Sequence, residues 1–169
     1  MKQGEEISIR KRKLPHWELG GSYYFITFTT ADGVTLNDAA KDIVFSSIKF
    51  HAGSEYDLHG CVVMETHAHM LLKPLEGQAR TPVLPVTPVY NLARIMHSIK
   101  SYSAHRLRKL LEIEGSVWLS ESYDRIVRDE NEYVEKMNYI IYNPVKAGLV
   151  QRPEGYKWLW APVLQASRL

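Results

Sequence analysis

The feature that most constrains the fold is an apolar run at residues 62–72 with two histidines near its centre. In an extended strand successive side chains alternate between the two faces, so His67 and His69 lie on one face and Ala68 and Met70 on the other. Two imidazoles on one side of a strand are able to bind one metal ion. A polar pair on a solvated sheet face is the commoner meaning of a short His-x-His motif, so other parts of the chain must decide between the two.

Length and composition favour a single globular domain. The chain has 169 residues, of which 45% are hydrophobic and 24% charged, and we expect one domain over 1–169 with a basic N-terminal arm at 1–20 and a C-terminal tail at 145–169 packed on the domain. No apolar run approaches the ~18 residues of a membrane span, and residues 1–14 lack the apolar segment of a secretory signal. These features predict a cytoplasmic location and no membrane partner.

The distribution of charge points to a polyanionic partner. The formal net charge is only +2, which is too small to indicate nucleic-acid binding by itself. Residues 77–111, however, contain no acidic side chain and six lysines and arginines, among them Lys100 and Arg106, and a second basic cluster occupies residues 10–13. Two such clusters on a nearly neutral protein favour nucleic acid over a solvated basic face.

Periodicity and punctuation predict an order of strands and helices. Residues 58–72 fit either one long strand or a hairpin folded at Glu65-Thr66, and we favour the hairpin although that pair lacks the glycine or asparagine usual in tight turns. Asp129 and Glu132 resemble a capping box, and Pro144 is expected to stop the helix that they begin. The other predicted elements are a strand at 22–30, a helix from the cap at 37–38 to about 54, a loop at 76–88, a helix at 89–112, a loop with a short strand at 116–128 and a helix at 129–143.

The helix at 129–143 carries a tyrosine away from its apolar face. On a helical wheel Tyr139 and Asn143 lie one turn apart, opposite the apolar side chains and with Lys136 nearby. A lone tyrosine in such a place is more often an ordinary surface aromatic. If this side of the helix lies against the histidine strand, however, His67 and His69 gain a third ligand in the amide oxygen of Asn143. Imidazole nitrogens with an amide oxygen suit Mg²⁺ or Mn²⁺, and zinc is not excluded.

Such a site has a chemical use for the tyrosine. A neutral phenol is a poor nucleophile until its target is made electrophilic, and a divalent ion on the non-bridging oxygens of a phosphodiester does this. Attack by Tyr139 would produce a covalent phosphotyrosine. Because that linkage keeps the energy of the phosphodiester, a second strand end can later attack it, so no nucleotide cofactor is required.

These residues resemble the HUH single-tyrosine transposases, and most closely the REP-associated tyrosine transposases of bacteria. The resemblance spans most of the chain in the family's order. It rests on GGSYYFIT at 20–27, VMETHAHMLL at 63–72, Trp118 followed by DRIVR at 124–128, and YIIYNPVKAGLV at 139–150. One departure is that Glu65 and Thr66 stand where the family usually has proline and then Asn, Asp or Glu.

The resemblance implies a fold and an activity. The fold is α+β, a ferredoxin-like antiparallel sheet with helices packed on one face in the HUH nuclease architecture. The activity is Mg²⁺- or Mn²⁺-dependent cleavage of single-stranded, hairpin-forming repeat DNA in the bacterial nucleoid, through a 5′-phosphotyrosine with a free 3′-hydroxyl. By position Tyr139 matches the nucleophile, His67 and His69 the metal ligands, and Asn143 the polar residue that completes the site.

The DNA-binding surface and the assembly state follow less directly. Arg12, Lys100, Arg125 and Arg128 match positions that are commonly basic in the family, and Arg106 and Lys136 are added for their charge and placement. We expect a monomer, with a dimer as the alternative. Two other functions compete with the transposase-like one: a nucleic-acid-binding protein that keeps the fold without catalysis, and a metal hydrolase in which the tyrosine is structural.

Overall fold

The computed structural model describes residues 22–75 and 92–166. Its elements are, in order, β1 (Tyr23–Thr29), α1 (Asp38–Phe50), β2 (Tyr56–Val63), β3 (His67–Pro74), α2 (Leu92–Leu111), β4 (Tyr123–Val127), α3 (Glu130–Lys146), a 3₁₀ turn (Pro153–Gly155), β5 (Leu159–Trp160) and α4 (Pro162–Ala166). The basic arm at 1–20 and the loop predicted at 76–88 lie outside the described residues. In those residues no helix has the length and apolar character needed to cross a lipid bilayer.

The strands form one antiparallel sheet in the order β4-β1-β3-β2-β5. This confirms the predicted α+β class and its antiparallel sheet. The histidine strand β3 lies at the centre, where β1 and β2 flank it on both sides. Residues that follow β3 by fifty or more positions, in β4 and β5, add the two edges, so the sheet is complete only when the C-terminal part of the chain has folded onto it.

The hairpin predicted for residues 58–72 is confirmed. The Met64 N–H donates to the His67 carbonyl at 2.8 Å and closes a tight turn between β2 and β3. This turn needs no glycine because the segment after β1 holds it: the Thr30 N–H donates to the Thr66 carbonyl at 2.8 Å, and the Leu36 N–H to the Glu65 carbonyl at 2.7 Å. Tertiary hydrogen bonds therefore fix the geometry that local turn chemistry does not.

Helices cover both faces of the sheet, which corrects the expectation that they pack on one. The face that carries Met70 and Tyr56 lies against α1 and α2, since the Tyr56 hydroxyl donates to the Ile48 carbonyl of α1. On the same face the Trp118 indole N–H donates to Ser103 of α2 at 3.0 Å. The opposite face, which carries the histidines, lies against α3.

The second layer has a physical cause in the strands themselves. On the histidine face Phe25, Val62 and Leu71 are buried as completely as their neighbours on the other face. A sheet with apolar side chains on both faces must be covered on both. The helix α3 supplies that cover through Tyr133, Met137, Ile140 and Ile141, the apolar stripe that the helical wheel predicted.

The N-terminus of α3 agrees with the sequence prediction, and its C-terminus does not. Asp129 caps the helix as predicted, since its side chain accepts the Glu132 N–H at 2.9 Å. Pro144 does not end it. A proline removes only its own N–H from the helix, and the Ala147 N–H still donates to the Asn143 carbonyl at 3.0 Å. The helix ends instead at Lys146, and Gly148 follows its C-cap with a φ of 73°, which only glycine adopts easily.

The described residues that follow α3 pack on the sheet and on α1. The strand β5 pairs with β2, and Trp158 and Leu159 are buried. The Tyr156 hydroxyl donates to the Val63 carbonyl at 2.9 Å, and the Trp158 indole N–H donates to Asp42 of α1. The first bond ties the tail to the end of β2 that leads into the histidine hairpin, and the second ties it to α1.

Candidate active site

The two histidines lie on the face of β3 that α3 covers. Antiparallel pairing places His69 opposite Thr27 of β1 and opposite Val62 of β2, with His67 two residues away on the same face. Their ring centroids are 4.8 Å apart. The predicted alternation therefore holds, and the two imidazoles form one group at the sheet surface.

His69 is the more buried of the pair. It is 4% exposed, its ring stacks on Phe25 at a centroid distance of 5.6 Å, and its Nδ1 lies 2.7 Å from the Thr27 hydroxyl. Burial, with a smaller contribution from His67, lowers its pKa to about 3. Its Nε2 is buried and has no hydrogen-bond partner among the described residues. His69 is thus a neutral imidazole with one nitrogen engaged and the other unsatisfied.

His67 is partly exposed beside it. Its Nδ1 lies 3.3 Å from the Thr66 hydroxyl in the hairpin turn. Burial lowers the pKa of His67 as well. Both rings are therefore held in the deprotonated form that binds metal ions.

Tyr139 reaches these histidines from α3. Its ring centroid is 5.0 Å from that of His69 and 5.8 Å from that of Phe25, in edge-to-face contacts. The tyrosine is nevertheless 42% exposed, so one side packs on the sheet and the other meets solvent. The Lys146 ammonium lies 6.0 Å from the ring centroid and brings a positive charge to that exposed side. The apolar stripe of α3 covers the histidine face, which corrects the supposition that the opposite side of the helix does so, and Tyr139 nevertheless contacts His69.

Asn143 follows Tyr139 by one helical turn and is partly buried. Its backbone carbonyl accepts the Ala147 N–H that carries the helix past Pro144. The amide side chain thus belongs to the same side of α3 as the phenol.

The close approach of α3 to the sheet depends on small side chains and specific contacts in β2. A Cβ on Gly60 would lie 3.0 Å from Cε and 3.1 Å from Sδ of Met137, so glycine makes room for the helix there. One turn earlier, the Tyr133 hydroxyl lies 2.7 Å from Nδ1 of His59. These contacts set the height of α3 above β2 and β3.

The residues present fit a divalent metal ion. The Nε2 of His69 has no hydrogen-bond partner in the described part of the chain, and it offers a lone pair in the tautomer whose Nδ1–H donates to the Thr27 hydroxyl. In that tautomer Thr27 would fix the ring as an outer-shell partner fixes a metal-bound histidine. Among the residues that the structure describes, no group of three or more His, Cys, Asp or Glu side chains could hold a metal. A third protein ligand would therefore be a side chain other than His, Cys, Asp or Glu. Asn143 is the amide residue that the sequence predicts for this role.

The basic residues predicted to bind DNA fall in two places. Arg125, Arg128 and Lys136 line one cavity of about 390 Å³, together with Glu132. This cavity adjoins the histidine face, because Arg125 pairs with Phe25 in the sheet and the Lys136 ammonium lies 5.5 Å from the Phe25 ring centroid. Phe25 thus contacts both Tyr139 and Lys136 and pairs with Arg125, which places these two cations on the side of the sheet that carries the phenol.

The other predicted DNA-binding residues lie elsewhere. Lys100 and Arg106 belong to α2 on the opposite face; the Lys100 ammonium donates to the Leu119 and Ser120 carbonyls at 2.6 and 3.0 Å, and Arg106 donates to the Tyr102 hydroxyl at 2.9 Å. Lys100 also lines a second cavity of about 640 Å³ between α2 and residues 116–124. Arg12 lies outside the described residues.

Sequence reasoning did not single out three residues of the site. Thr27 and Phe25 contact His69 from β1, and Lys146 lies beside Tyr139. The register of β1 against β3 would have identified the first two, since both share the parity of the histidine face. Lys146 was excluded by the expectation that Pro144 ends the helix.

Comparison with known proteins supports the fold. No protein-family model matches the chain. A solved structure of a REP-associated tyrosine transposase bound to a REP hairpin superposes with a TM-score of 0.61 at 16% identity, covering 88% of this chain and 81% of that chain. The chain therefore has the fold of that transposase, as the sequence resemblance implied. A candidate transposase from Deinococcus radiodurans R1 matches with a TM-score of 0.47 at 18% identity over 76% of this chain and 95% of its own.

Two curated relatives match in sequence, both dual-specificity RNA methyltransferases called RlmN. The protein from Campylobacter jejuni (strain RM1221) is 28% identical over 48% of this chain, and that from Aliarcobacter butzleri (strain RM4018) is 24% identical over 75%. The chain spans only 24% and 35% of the lengths of these relatives. Partial matches at this identity assign no family and no methyltransferase activity.

Proposed function

We propose that this protein is a metal-dependent endonuclease and strand transferase that acts on single-stranded, hairpin-forming DNA through Tyr139. The observation that carries the proposal is the contact of the Tyr139 ring with His69, at 5.0 Å between centroids, beside a buried imidazole nitrogen without a partner. A phenol and two neutral imidazoles meet at one place although seventy residues separate the histidines from the tyrosine, and Asn143 follows the tyrosine by one helical turn. The transposase that shares the fold was solved on a REP hairpin, which favours DNA as the substrate.

The metal ion would be held by His67, His69 and Asn143, and Mg²⁺ or Mn²⁺ suits these ligands. When bound there, it would polarise the phosphodiester and neutralise charge that develops on the phosphoryl oxygens. Thr27 orients His69 through Nδ1, and the low pKa of His69 keeps the imidazole neutral near neutral pH. Nε2 would bind the metal in the tautomer whose Nδ1–H donates to the Thr27 hydroxyl.

Tyr139 acts as the nucleophile in this proposal. A bond forms between its phenolic oxygen and the phosphorus, the bond from phosphorus to the 3′-oxygen breaks, the phenolic proton leaves to solvent and the departing oxygen becomes a 3′-hydroxyl. The downstream strand then remains on the protein as a 5′-phosphotyrosine. The reverse reaction with another 3′-hydroxyl rejoins the DNA.

The cavity next to Phe25 would hold the DNA backbone through its three cations, which Asp129, Glu132 and Glu135 accompany in its lining. Glu132 accepts hydrogen bonds from the Arg125 side chain and from the Arg128 backbone N–H, and the latter contact is the main cause of the lowered pKa of Glu132. The carboxylate engages Nε of Arg125, and the Arg125 side chain also hydrogen-bonds Tyr123, so a phosphate would share the guanidinium with these two partners. Lys136 adds a third cation on the way to Tyr139.

One chain would be sufficient for this chemistry. The phenol reaches the histidines of its own chain, so no second copy has to supply a residue to the site. We therefore propose a monomeric active unit.

A labelled-oligonucleotide assay tests the proposal and separates it from its rivals. The probe is a pool of single-stranded oligonucleotides with a hairpin stem and randomised flanks, labelled at the 3′ end in one sample and at the 5′ end in another, incubated with Mn²⁺ or with EDTA. We expect an SDS-stable protein band that carries only the 3′ label and appears only with Mn²⁺. Free labelled fragments without a protein band would indicate a hydrolase, and a mobility shift without cleavage would indicate a binding protein.

A further inference from the structure

A histidine outside the site described above sits at the one irregular place in the central strands. In the pairing of β2 with β3, Leu58 lies opposite Leu72 and Gly60 opposite Leu71, so His59 is the extra residue of a β-bulge. A bulge turns the side chain of its extra residue out of the regular alternation, and bulges often re-aim residues near functional sites. Here the bulge directs His59 at α3.

The bulged histidine makes a polar contact in apolar surroundings. Its Nδ1 lies 2.7 Å from the hydroxyl of Tyr133, which is itself 8% exposed. The rings of His59, Tyr133 and Tyr23 form a cluster of three edge-to-face contacts with centroid distances of 4.8, 5.4 and 5.6 Å. Burial lowers the pKa of His59, with Asp57 and Lys73 acting on it in opposite directions, so the ring is neutral. A neutral imidazole suits such a buried bond.

This contact is directional, as is the bond from Arg125 of β4 to Glu132 in the first turn of α3, whereas the packing of Met137 is not. Apolar packing of Met137 over Gly60 lets the helix slide, because the thioether end is flexible. A hydrogen bond of 2.7 Å restricts sliding to a few tenths of an ångström. Tyr133 and Tyr139 are six residues apart, or about 9 Å along the helix axis, and are joined by rigid backbone.

We propose that His59 is a positioning residue for the tyrosine nucleophile: through the Tyr133 hydroxyl, the bulge in β2 fixes the axial position of α3 and with it the place of Tyr139 over the histidines. Misplacement of a reacting atom by about 1 Å costs on the order of 10²-fold in rate. The kinetic part of this inference rests on the proposed nuclease function; the part that concerns helix docking does not.

Matched variants separate positioning from folding. His59→Phe keeps the ring contacts and removes the nitrogen, Tyr133→Phe removes the hydroxyl from the other side, and His59→Asn returns an amide group near the position of Nδ1. Tyr56→Phe is the control, because it removes another buried tyrosine hydroxyl bond, that to the Ile48 carbonyl, on the opposite face of the sheet.

The first arm measures amide hydrogen exchange along α3 in the absence of DNA and metal. We expect faster exchange at 133–143 in His59→Phe and Tyr133→Phe, exchange near that of the unmodified protein in His59→Asn, and no change there in Tyr56→Phe. The double variant His59→Phe/Tyr133→Phe should be no worse than either single one. Equal exchange along α3 in all variants would overturn the inference.

The second arm measures the single-turnover rate of covalent adduct formation and the affinity for the same DNA. We expect the rate to fall by about tenfold or more in His59→Phe and Tyr133→Phe, with affinity changed by less than about twofold and with recovery in His59→Asn. Rates equal to that of Tyr56→Phe would contradict a positioning role. If the unmodified protein forms no adduct, the proposed function fails, and the exchange arm still decides the role of His59.

Discussion

The two faces of the central strands use the same alternation of side chains for different purposes. Towards α1 and α2 the strands present Ile26, Met70 and Leu72, all fully buried, and this face serves stability. Towards α3 they present Thr27 and His69 among apolar neighbours, with a buried nitrogen left unsatisfied. An unsatisfied buried polar atom costs about 1–3 kcal/mol, so the α3 face gives up stability in exchange for a reactive group.

The largest expected effect is on the α3 face, at Tyr139, the nucleophile that we propose. Tyr139→Phe should lower the rate of covalent adduct formation by at least about 10³-fold, because no other described group takes the place of the phenol. Thermal unfolding and DNA affinity should stay near those of the unmodified protein, since the ring is retained.

The control for this variant is Tyr142→Phe on the same helix. Tyr142 is partly buried and packs against the core, so the loss of its hydroxyl should leave the rate within about twofold. An SDS-stable adduct that persists in Tyr139→Phe, or disappears in Tyr142→Phe, would reassign the nucleophile.

Adjacent residues of β3 test the division between the faces most directly. Met70→Ala should lower the free energy of unfolding by about 2–5 kcal/mol through cavity formation and leave the Mn²⁺ affinity of the folded protein unchanged. His69→Ala should reduce Mn²⁺ affinity by at least about 100-fold and cost less stability, because it also removes the unsatisfied nitrogen. Denaturant titration and calorimetry measure the two quantities. The division between the two faces is contradicted if both variants lose mainly stability or both lose mainly Mn²⁺ affinity.

A smaller effect is expected at the residue that orients His69. Thr27→Val keeps the shape of the side chain and removes the hydroxyl that lies 2.7 Å from Nδ1. Outer-shell partners of metal-bound histidines contribute about 10–100-fold to metal affinity. We expect Mn²⁺ binding to weaken by about tenfold in calorimetry, whereas Thr29→Val, on the same face of β1, should leave it unchanged.

The smallest expected effect is on the pH dependence of the free energy of unfolding in the absence of metal. The pKa of His69 is about 3 in the folded protein, against about 6.5 for a histidine in an unfolded chain. Between these values the unfolded state binds a proton that the folded state does not, so the free energy of unfolding falls as pH decreases below about 6.5. The lowered pKa values of His67 and His59 act in the same direction.

Urea unfolding in EDTA at pH 7.5 and pH 5 measures this slope. His69→Asn should lose less stability between the two pH values than the unmodified protein, since one of the contributing imidazoles is gone. An unchanged slope would mean that His69 is solvated in the folded protein.

Much of the site could be predicted from the sequence because its signals are local. The parity of His67 and His69 follows from strand geometry, and the cap at Asp129 and the apolar stripe of α3 follow from helix geometry. The docking of α3 on the histidine face did not follow from periodicity. It was a hypothesis that the family resemblance supported. The second layer of helices did not follow from periodicity either. It is required because Phe25 and Leu71 on the histidine face are buried as well, and their burial is known only from the structure.

The sequence by itself determined that two imidazoles share one face of a strand and that a tyrosine and an asparagine share one side of a later helix, because both follow from the fixed periods of 2 and 3.6 residues. Only the tertiary structure decided that these two surfaces meet. The His59 bulge, the gap at Gly60 and the Thr27 hydroxyl depend on register and on contacts between segments far apart in the chain, and no local period encodes them. They turn the His67-Ala68-His69 motif from a common pattern into a place where a phenol contacts a buried imidazole.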